Sequence, residues 1–239
     1  MHLNDNILCV VDTETTGLRA GFHDIIQVCI LPLDSNLVPL KEHKGKSILP
    51  FYMEIKPKRP ESIGEWKGSE FKITDNSAMR VNKLDIFRIM QTAIDPDRAA
   101  DLLDAWFEKF NFPYGKKISV LAQNWPFDRE FLIDWLGHES FGQYFDRRYR
   151  DASVAALFCN DQADLHNERC PFPKVNLEYL ASTLKVDHRN AHDAMNDCLV
   201  TAEVYRRMLK HHSYLRIPDA VVDTPSISTG ASEVSPPAS

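Results

Sequence analysis

The pattern of hydrophobic and polar positions divides the first part of the chain into short strands. Three apolar runs rich in β-branched residues occupy 6–12, 25–33 and 48–55, and polar or turn-forming residues bound each of them. Runs of this length and composition are typical of buried strands. The residues at 34–47 have the character of a hairpin-like connection between the second and third strands.

A helical period dominates later in the chain. Apolar side chains within 97–110 recur at the spacing of one helical face, namely Ala99, Leu102, Leu103, Trp106, Phe107 and Phe110. Further helices are predicted over 128–136, 177–184 and 192–211, and a fourth strand over 118–122. Strands come first and then mix with helices, which predicts an α/β domain around a mixed sheet.

Two segments fall outside these periodic patterns. The stretch 56–79 contains two prolines, two glycines and charges of both signs, which predicts a surface excursion from the third strand. Beyond residue 216 there is no lysine or arginine, and prolines and serines dominate, so this segment cannot bury enough apolar surface to fold. We predict one domain over 1–216, with an insertion at about 40–80, and a disordered tail over 217–239 that is either solvated or a tethered peptide for a partner.

Composition narrows the class of protein. The chain has 239 residues, a formal net charge of −6 and 44% hydrophobic residues, so it is an ordinary globular protein and not a basic, passive nucleic-acid binder. Its five cysteines are odd in number and lack the spacing of a zinc knuckle or redox motif, which predicts reduced thiols in the cytoplasm. The start of the chain does not resemble a signal peptide and no apolar run has transmembrane length, so we expect no membrane partner.

The first segment with candidate chemistry follows the first strand. Asp12 and Glu14 are two residues apart at the end of an apolar run, so both point to one face of the strand. Two neighbouring carboxylates repel each other, and a divalent cation such as Mg²⁺ or Mn²⁺ would supply the missing positive charge. A solvated strand end before a turn is an equally weighted alternative from this segment alone.

The second segment joins the fourth strand to a helix. Asn124 ends the strand, Pro126 lies near the helix start, where proline is favoured, and Asp128 falls in the first turn. By itself, this segment favours a simpler interpretation in which Asp128 complements the helix dipole. Phe127 and Phe131 are expected in the core under either interpretation.

The third segment opens the last long helix. His192 and Asp197 are five residues apart, slightly more than one helical turn. Asp193 is expected to be the acid at the helix start, with Asn190 or Asp193 as the cap. A histidine without a functional role is the usual alternative for a residue such as His192.

Taken together, the three segments supply four carboxylates and one histidine at strand-to-helix junctions. Metal-assisted phosphodiester hydrolysis requires this set of side chains, because two cations stabilise the attacking and leaving oxygens while a base accepts a proton from water.

The segments also resemble motifs I, II and III of the DEDDh exonucleases, the DnaQ-like branch of the RNase H-like fold. Residues 12–18 match D-x-E-T-T-G-L, residues 124–128 match N-x-x-F-D, and residues 192–197 match H-x-x-x-x-D.

The resemblance implies a fold and a set of roles. The fold would be an RNase H-like mixed five-stranded sheet flanked by helices, with the surface insertion after the third strand. Two Mg²⁺ or Mn²⁺ ions would be held by Asp12, Glu14, Asp128 and Asp197, and His192 would be the general base. The positions that match residues near the terminal nucleotide are Thr15, Leu18, Asn124 and Phe127.

By the same resemblance, the function would be removal of nucleotides from the 3′ end of a strand, with single-stranded DNA favoured. An RNA-trimming enzyme is the nearest alternative, since relatives of RNase T and oligoribonuclease share these motifs. A catalytically silent nucleic-acid-binding module is another, although it would be expected to lack a metal ligand. A proofreading role would require a separate polymerase or another replication or repair protein as a partner.

Two groups of basic residues could bind the substrate backbone. One lies in 41–60, where six basic residues outnumber two acidic ones, and the other comprises Arg147, Arg148 and Arg150. Such groups bind phosphates without sequence preference. A solvated charged loop is an equally good interpretation of either group.

Overall fold

The computed structural model describes residues 7–43, 45–73, 78, 80, 84–109, 117–189 and 192–211. The strands within them are β1 Ile7–Thr15, β2 Ile25–Pro32, β3 Glu42–His43, β4 Lys46–Ser47, β5 Phe51–Glu54, β6 Gly64–Lys67, β7 Glu70–Ile73, β8 Ile118–Ala122 and β9 Phe145–Asp151. The α-helices are α1 Ile86–Thr92, α2 Pro96–Lys109, α3 Trp125–Leu136, α4 His138–Tyr144, α5 Ala152–Leu165, α6 Leu177–Thr183 and α7 Ala194–His211, and a 3₁₀ turn spans Pro60–Ser62.

The central sheet has five strands in the order β5-β2-β1-β8-β9. Strand β2 is antiparallel to β1 and β5, whereas β8 is parallel to β1 and β9. The predicted mixed five-stranded sheet is therefore confirmed. Strand β1 is the middle strand; its first half pairs with both β2 and β8, whereas its carboxyl end, beyond Val10, pairs with β2 alone.

Alternation along β1 divides the core into two layers. Cys9 and Val11 belong to the cluster that includes Trp106 of α2 and Phe131 of α3. Val10 faces the other way, into the cluster formed with α7. Helices therefore cover both faces of the sheet. Asp12, two positions beyond Val10 on β1, is directed towards α7.

The structure moves several predicted boundaries. Strand β1 continues to Thr15, beyond the predicted end at residue 12, because Asp12 and Glu14 stay paired with Cys29 and Gln27 of β2. Strand β5 is shorter than the predicted run over 48–55. Helix α3 begins at Trp125, three residues early, and α7 begins at Ala194, two residues late; the late start follows from a left-handed backbone at His192, with φ 70°.

The described part of the segment after the third sheet strand contains regular structure. It contains the 3₁₀ turn and a hairpin of β6 with β7. It is more than a surface excursion, since Ile63 is fully buried and packs with Ile26, Ile86 and Ile89. Phe110, Asn190 and the predicted tail at 217–239 lie outside the described residues. None of the helices in the described ranges is long and apolar enough to cross a membrane.

Candidate active site

The carboxyl end of β1 presents two carboxylates to the start of α7. Asp12 and Glu14 occupy alternate positions on the face of β1 that α7 covers. An oxygen of Glu14, a ring nitrogen of His192 and an oxygen of Asp197 all lie within 4.8 Å of one another. The structure thus brings together residues that are more than 170 positions apart in the sequence.

Asp128 reaches the same strand end from α3. Its Oδ1 accepts hydrogen bonds from the Thr13 backbone N–H at 3.0 Å and from the Thr13 hydroxyl at 2.8 Å. Its side chain is buried, with 3% of the residue exposed. These contacts hold the carboxylate against β1, which is more than an interaction with the helix dipole requires.

The start of α7 is organised by its own acidic residues. Asp193 Oδ1 accepts from the Asn196 backbone N–H at 3.0 Å, so Asp193 is the acid at the helix start, as predicted. Asp197 Oδ2 accepts from the His192 backbone N–H at 3.1 Å. This second contact ties His192 to the carboxylate that follows it by one helical turn.

The carboxylates of this cluster are hard to ionise together. Burial, reinforced by Asp197, Asp128 and Asp193, raises the pKa of Glu14 to about 8. Burial likewise raises the pKa of Asp128 to about 7, against the opposing hydrogen bonds from Thr13. The pKa of Asp12 is raised well above its usual range by burial and then by Asp128, Asp197 and Glu14, and burial also raises the pKa of Asp197.

A divalent cation fits this arrangement. Asp12 Oδ2 is buried and has no hydrogen-bond partner among the described residues, so the atom lacks the compensation that buried polar atoms normally have. Carboxylate oxygens suit Mg²⁺ and Mn²⁺, and an imidazole nitrogen suits the softer divalent ions. Bound cations would stabilise the ionised form of each carboxylate and so reverse the electrostatic cost of the cluster.

The turn after β1 exposes one predicted substrate-binding residue. Thr16 N donates to the Asp24 carbonyl at 2.9 Å, which closes the loop at its base. Gly17 allows a close approach here, because a Cβ atom would lie 2.1 Å from the ring of His23, which would have to shift. The closed loop leaves Leu18 79% exposed, an unusual position for a leucine without a partner.

The other predicted substrate-binding residues divide into two kinds. Asn124 is exposed and adopts a left-handed backbone with φ 64°. The Thr15 side chain is buried and donates to the Gly17 carbonyl at 2.6 Å, so a substrate contact at Thr15 would fall to its backbone. Phe127 is half-buried with its ring 4.9 Å from that of Phe131, in agreement with its predicted place in the core.

Sequence reasoning missed two residues that shape the site. Thr13 orients Asp128, and nothing in its local sequence indicates a contact 115 positions away. Asp151, to which we assign no chemistry, caps α5 through Ser153 N at 2.8 Å and accepts from Trp125 N at 2.7 Å. An aspartate directly before a helical run is an N-cap signal, so its local role was detectable, whereas its bond to α3 was not.

Three cations of the predicted basic group at 41–60 make contacts within the protein. Arg59 forms ion pairs with Asp24 and Asp134, Lys56 pairs with Asp95, and Lys58 donates to the Trp135 carbonyl. Contacts within the protein therefore engage these three cations, and their role in binding the substrate backbone stays a prediction. In the second basic group, Arg148 pairs with Asp146 and Arg150 donates to the Ser119 hydroxyl at 2.8 Å.

The fold belongs to a known structural class. The mixed five-stranded sheet flanked by helices is the RNase H-like architecture of structurally characterised exonucleases. No family model matches the sequence, and no curated protein matches it. The similarity is therefore carried by the three-dimensional structure.

Several solved structures share this fold. One of exonuclease I aligns with a TM-score of 0.62 and 17% identity over 86% of this chain and 41% of that chain. A zinc-bound complex of E. coli exonuclease I with single-stranded DNA aligns with a TM-score of 0.61 and 16% identity, over 87% of this chain and 41% of that chain. Cell-death related nuclease 4 (CRN-4) aligns with a TM-score of 0.56 and 17% identity, over 86% of this chain and 64% of that chain. The chain spans about two-fifths of the exonuclease I chains it matches, and at these identities the likeness establishes the fold.

Proposed function

We propose that this chain is a metal-dependent 3′–5′ exonuclease of the DEDDh type that hydrolyses phosphodiester bonds from the 3′ end of nucleic acid. The observation that carries the proposal is the convergence of Asp12, Glu14, Asp128 and Asp197 with His192 at one sheet edge, where burial raises the pKa of each carboxyl group and neighbouring acids of the cluster raise those of Asp12 and Glu14 further. Folding alone gains nothing from such repulsion, whereas binding of cations and phosphate does.

The four carboxylates would hold two Mg²⁺ or Mn²⁺ ions. When bound, these ions neutralise the cluster and stabilise the attacking and leaving oxygens of an in-line displacement. Thr13 keeps Asp128 in place through two hydrogen bonds. His192 accepts the proton of the attacking water on a ring nitrogen, and its backbone contact with Asp197 holds it beside the cluster.

Single-stranded DNA is the favoured substrate. Structures with the same fold were determined as complexes of E. coli exonuclease I with single-stranded DNA and with a dA16 oligonucleotide. Exposed Leu18 and Asn124 follow the ends of β1 and β8, strands whose carboxyl ends meet at the same edge of the sheet. They are suited to contact the terminal base and sugar there.

The test uses matched single-stranded DNA, duplex DNA and RNA labelled at either end. With Mg²⁺ or Mn²⁺, we expect 5′-labelled single-stranded DNA to give a descending ladder and 3′-labelled DNA to release a labelled mononucleotide at once. Immediate release of the 5′ label would contradict the polarity, and faster hydrolysis of RNA would make it an exoribonuclease. Binding without hydrolysis under every condition would indicate a catalytically silent module.

A further inference from the structure

The turn before α7 is held at three successive residues, through two backbone N–H groups and one side chain. His192 N donates to Asp197 at 3.1 Å, the Tyr52 hydroxyl donates to Asp193 Oδ2 at 2.6 Å, and Ala194 N donates to Gln27 Oε1 at 2.8 Å. The first contact lies within the turn and helix, whereas the other two come from strands β5 and β2. The sheet therefore fixes the residues that immediately follow His192.

Gln27 connects the two sheet contacts. It is 1% exposed, and its Nε2 donates to the Tyr52 hydroxyl at 2.9 Å while its Oε1 accepts from Ala194. Both ends of the buried amide are thus engaged, which fixes its orientation. In the sheet, Gln27 lies opposite Glu14, so this chain of hydrogen bonds begins beside a candidate metal ligand and ends at the turn.

The turn needs such support because of its backbone. His192 has φ 70°, a left-handed conformation that a residue with a Cβ adopts at a cost. Conformations of this kind persist where surrounding contacts determine them. Without the hydroxyl of Tyr52, the side chain of Asp193 would lose its anchor on the sheet, and the position of the neighbouring imidazole would be less well defined.

Building on the proposed function, we propose that Tyr52 and Gln27 are positioning residues that fix the imidazole of His192 for proton transfer. They act through Asp193 and Ala194, which flank the start of α7. Proton transfer depends steeply on the position of the base, and a displacement of about 1 Å can slow a reaction by about 100-fold. Tyr52 and Gln27 therefore contribute to turnover and leave metal affinity unchanged.

The test is a double-mutant cycle with Tyr52→Phe and His192→Ala, using single-stranded DNA at saturating Mn²⁺. Tyr52→Phe removes only the hydroxyl, and Tyr149→Phe is the matched control because the two tyrosines are similarly exposed, at 40% and 43%. We expect Tyr52→Phe to lower kcat about tenfold or more with KM unchanged, and to cost less than twofold in the His192→Ala background. Tyr149→Phe should leave kcat unchanged in both backgrounds.

Hydrogen exchange gives a readout independent of turnover. The amide of Ala194 should exchange faster in Tyr52→Phe than in wild type or Tyr149→Phe, because its acceptor Gln27 is no longer oriented. Calorimetric Mn²⁺ affinity should be the same in all variants.

Three results would overturn the positioning role. An equal loss of kcat from Tyr52→Phe in both backgrounds would mean that Tyr52 does not act through His192. A raised KM with unchanged kcat would make Tyr52 a substrate contact. Normal turnover in His192→Ala would mean that His192 is not the base, and this inference would fail while exonuclease activity itself remained. Absence of metal-dependent hydrolysis in wild type would instead refute the proposed function.

Discussion

Two partly buried groups of carboxylates among the described residues are balanced differently. Asp24 and Asp134 share the guanidinium of Arg59. The backbone N–H of Arg59 also donates to Asp24 Oδ2 at 2.6 Å. Within the described part of the chain, none of Asp12, Glu14, Asp128 and Asp197 forms an ion pair with a lysine or arginine. The first group is compensated by the fold, whereas the second lacks such compensation among the described residues, as the proposed metal site requires.

This contrast separates structural from functional acids. Removing a carboxylate from a compensated group leaves a buried positive charge without its partner, which destabilises the protein. Removing one from an uncompensated group relieves repulsion and costs the fold little. Substitutions in the two groups should therefore have opposite effects on stability and on activity.

The largest effect is expected at the metal centre. Asp12→Ala should reduce hydrolysis of single-stranded DNA below detection, because the cluster loses a ligand, while the free energy of unfolding of the metal-free protein stays the same or rises. The measurements are an end-labelled nuclease assay and urea unfolding in EDTA. Asp161→Asn, an exposed acid on α5, is the control. A destabilised metal-free Asp12→Ala protein would assign Asp12 a structural role.

The next largest effect is expected at His192. His192→Ala should slow turnover by about 10²–10⁴-fold, the usual contribution of a positioned acid–base group. Turnover of single-stranded DNA at saturating Mg²⁺ and calorimetric metal affinity, measured on wild type and His192→Ala, test this together. Loss of metal binding in His192→Ala would show that the imidazole is a ligand.

A substitution in the compensated group should change the free energy of unfolding and leave hydrolysis of the nucleic acid unchanged. Arg59→Met should lower the free energy of unfolding by about 3 kcal/mol, since it leaves Asp24 buried and unpaired. Lys67→Met is the matched control, because its ion pair with Glu65 is solvent-exposed and such pairs contribute little. Urea unfolding measures both. Equal stability of the two variants would mean that Arg59 does not compensate Asp24.

Cation binding should convert the second group into a stabilising one. At a Mn²⁺ concentration about 100 times its Kd, the free energy of unfolding should rise by about 2.7 kcal/mol. EDTA should reverse this gain and abolish hydrolysis, and Ca²⁺ should support little activity because its coordination is longer and looser. Full activity in EDTA would refute the metal mechanism.

The metal-free protein should also show a pH dependence of stability. The folded-state pKa values of about 8 for Glu14 and about 7 for Asp128 lie above the unfolded values near 4. The folded protein therefore binds more protons, so the stability that these groups contribute is complete below about pH 4 and is lost as pH rises to about 8. Urea midpoints between pH 5 and 8.5 should fall less steeply in Glu14→Gln than in wild type. Parallel curves would show that Glu14 ionises normally.

Local patterns in the sequence determined several of the elements and the candidate chemistry. Hydrophobic periodicity predicted β2, β8 and α2 to within one or two residues, because it records which positions face a core over short distances. The spacing of Asp12 with Glu14 predicted a shared face, and the proline at 126 predicted a helix start, since both follow from backbone geometry. The donor types alone indicated hard divalent cations.

The tertiary structure decided which of these residues meet and which charges are compensated. Thr13 and Asp128 are 115 positions apart, and Gln27 and Ala194 are 167 apart, so no local pattern could predict their contacts. The same is true of Arg59, whose charge in the sequence suggests substrate binding but whose partners are Asp24 and Asp134. Burial and neighbouring charge set the pKa values of the cluster, and both exist only once β1, α3 and α7 pack together.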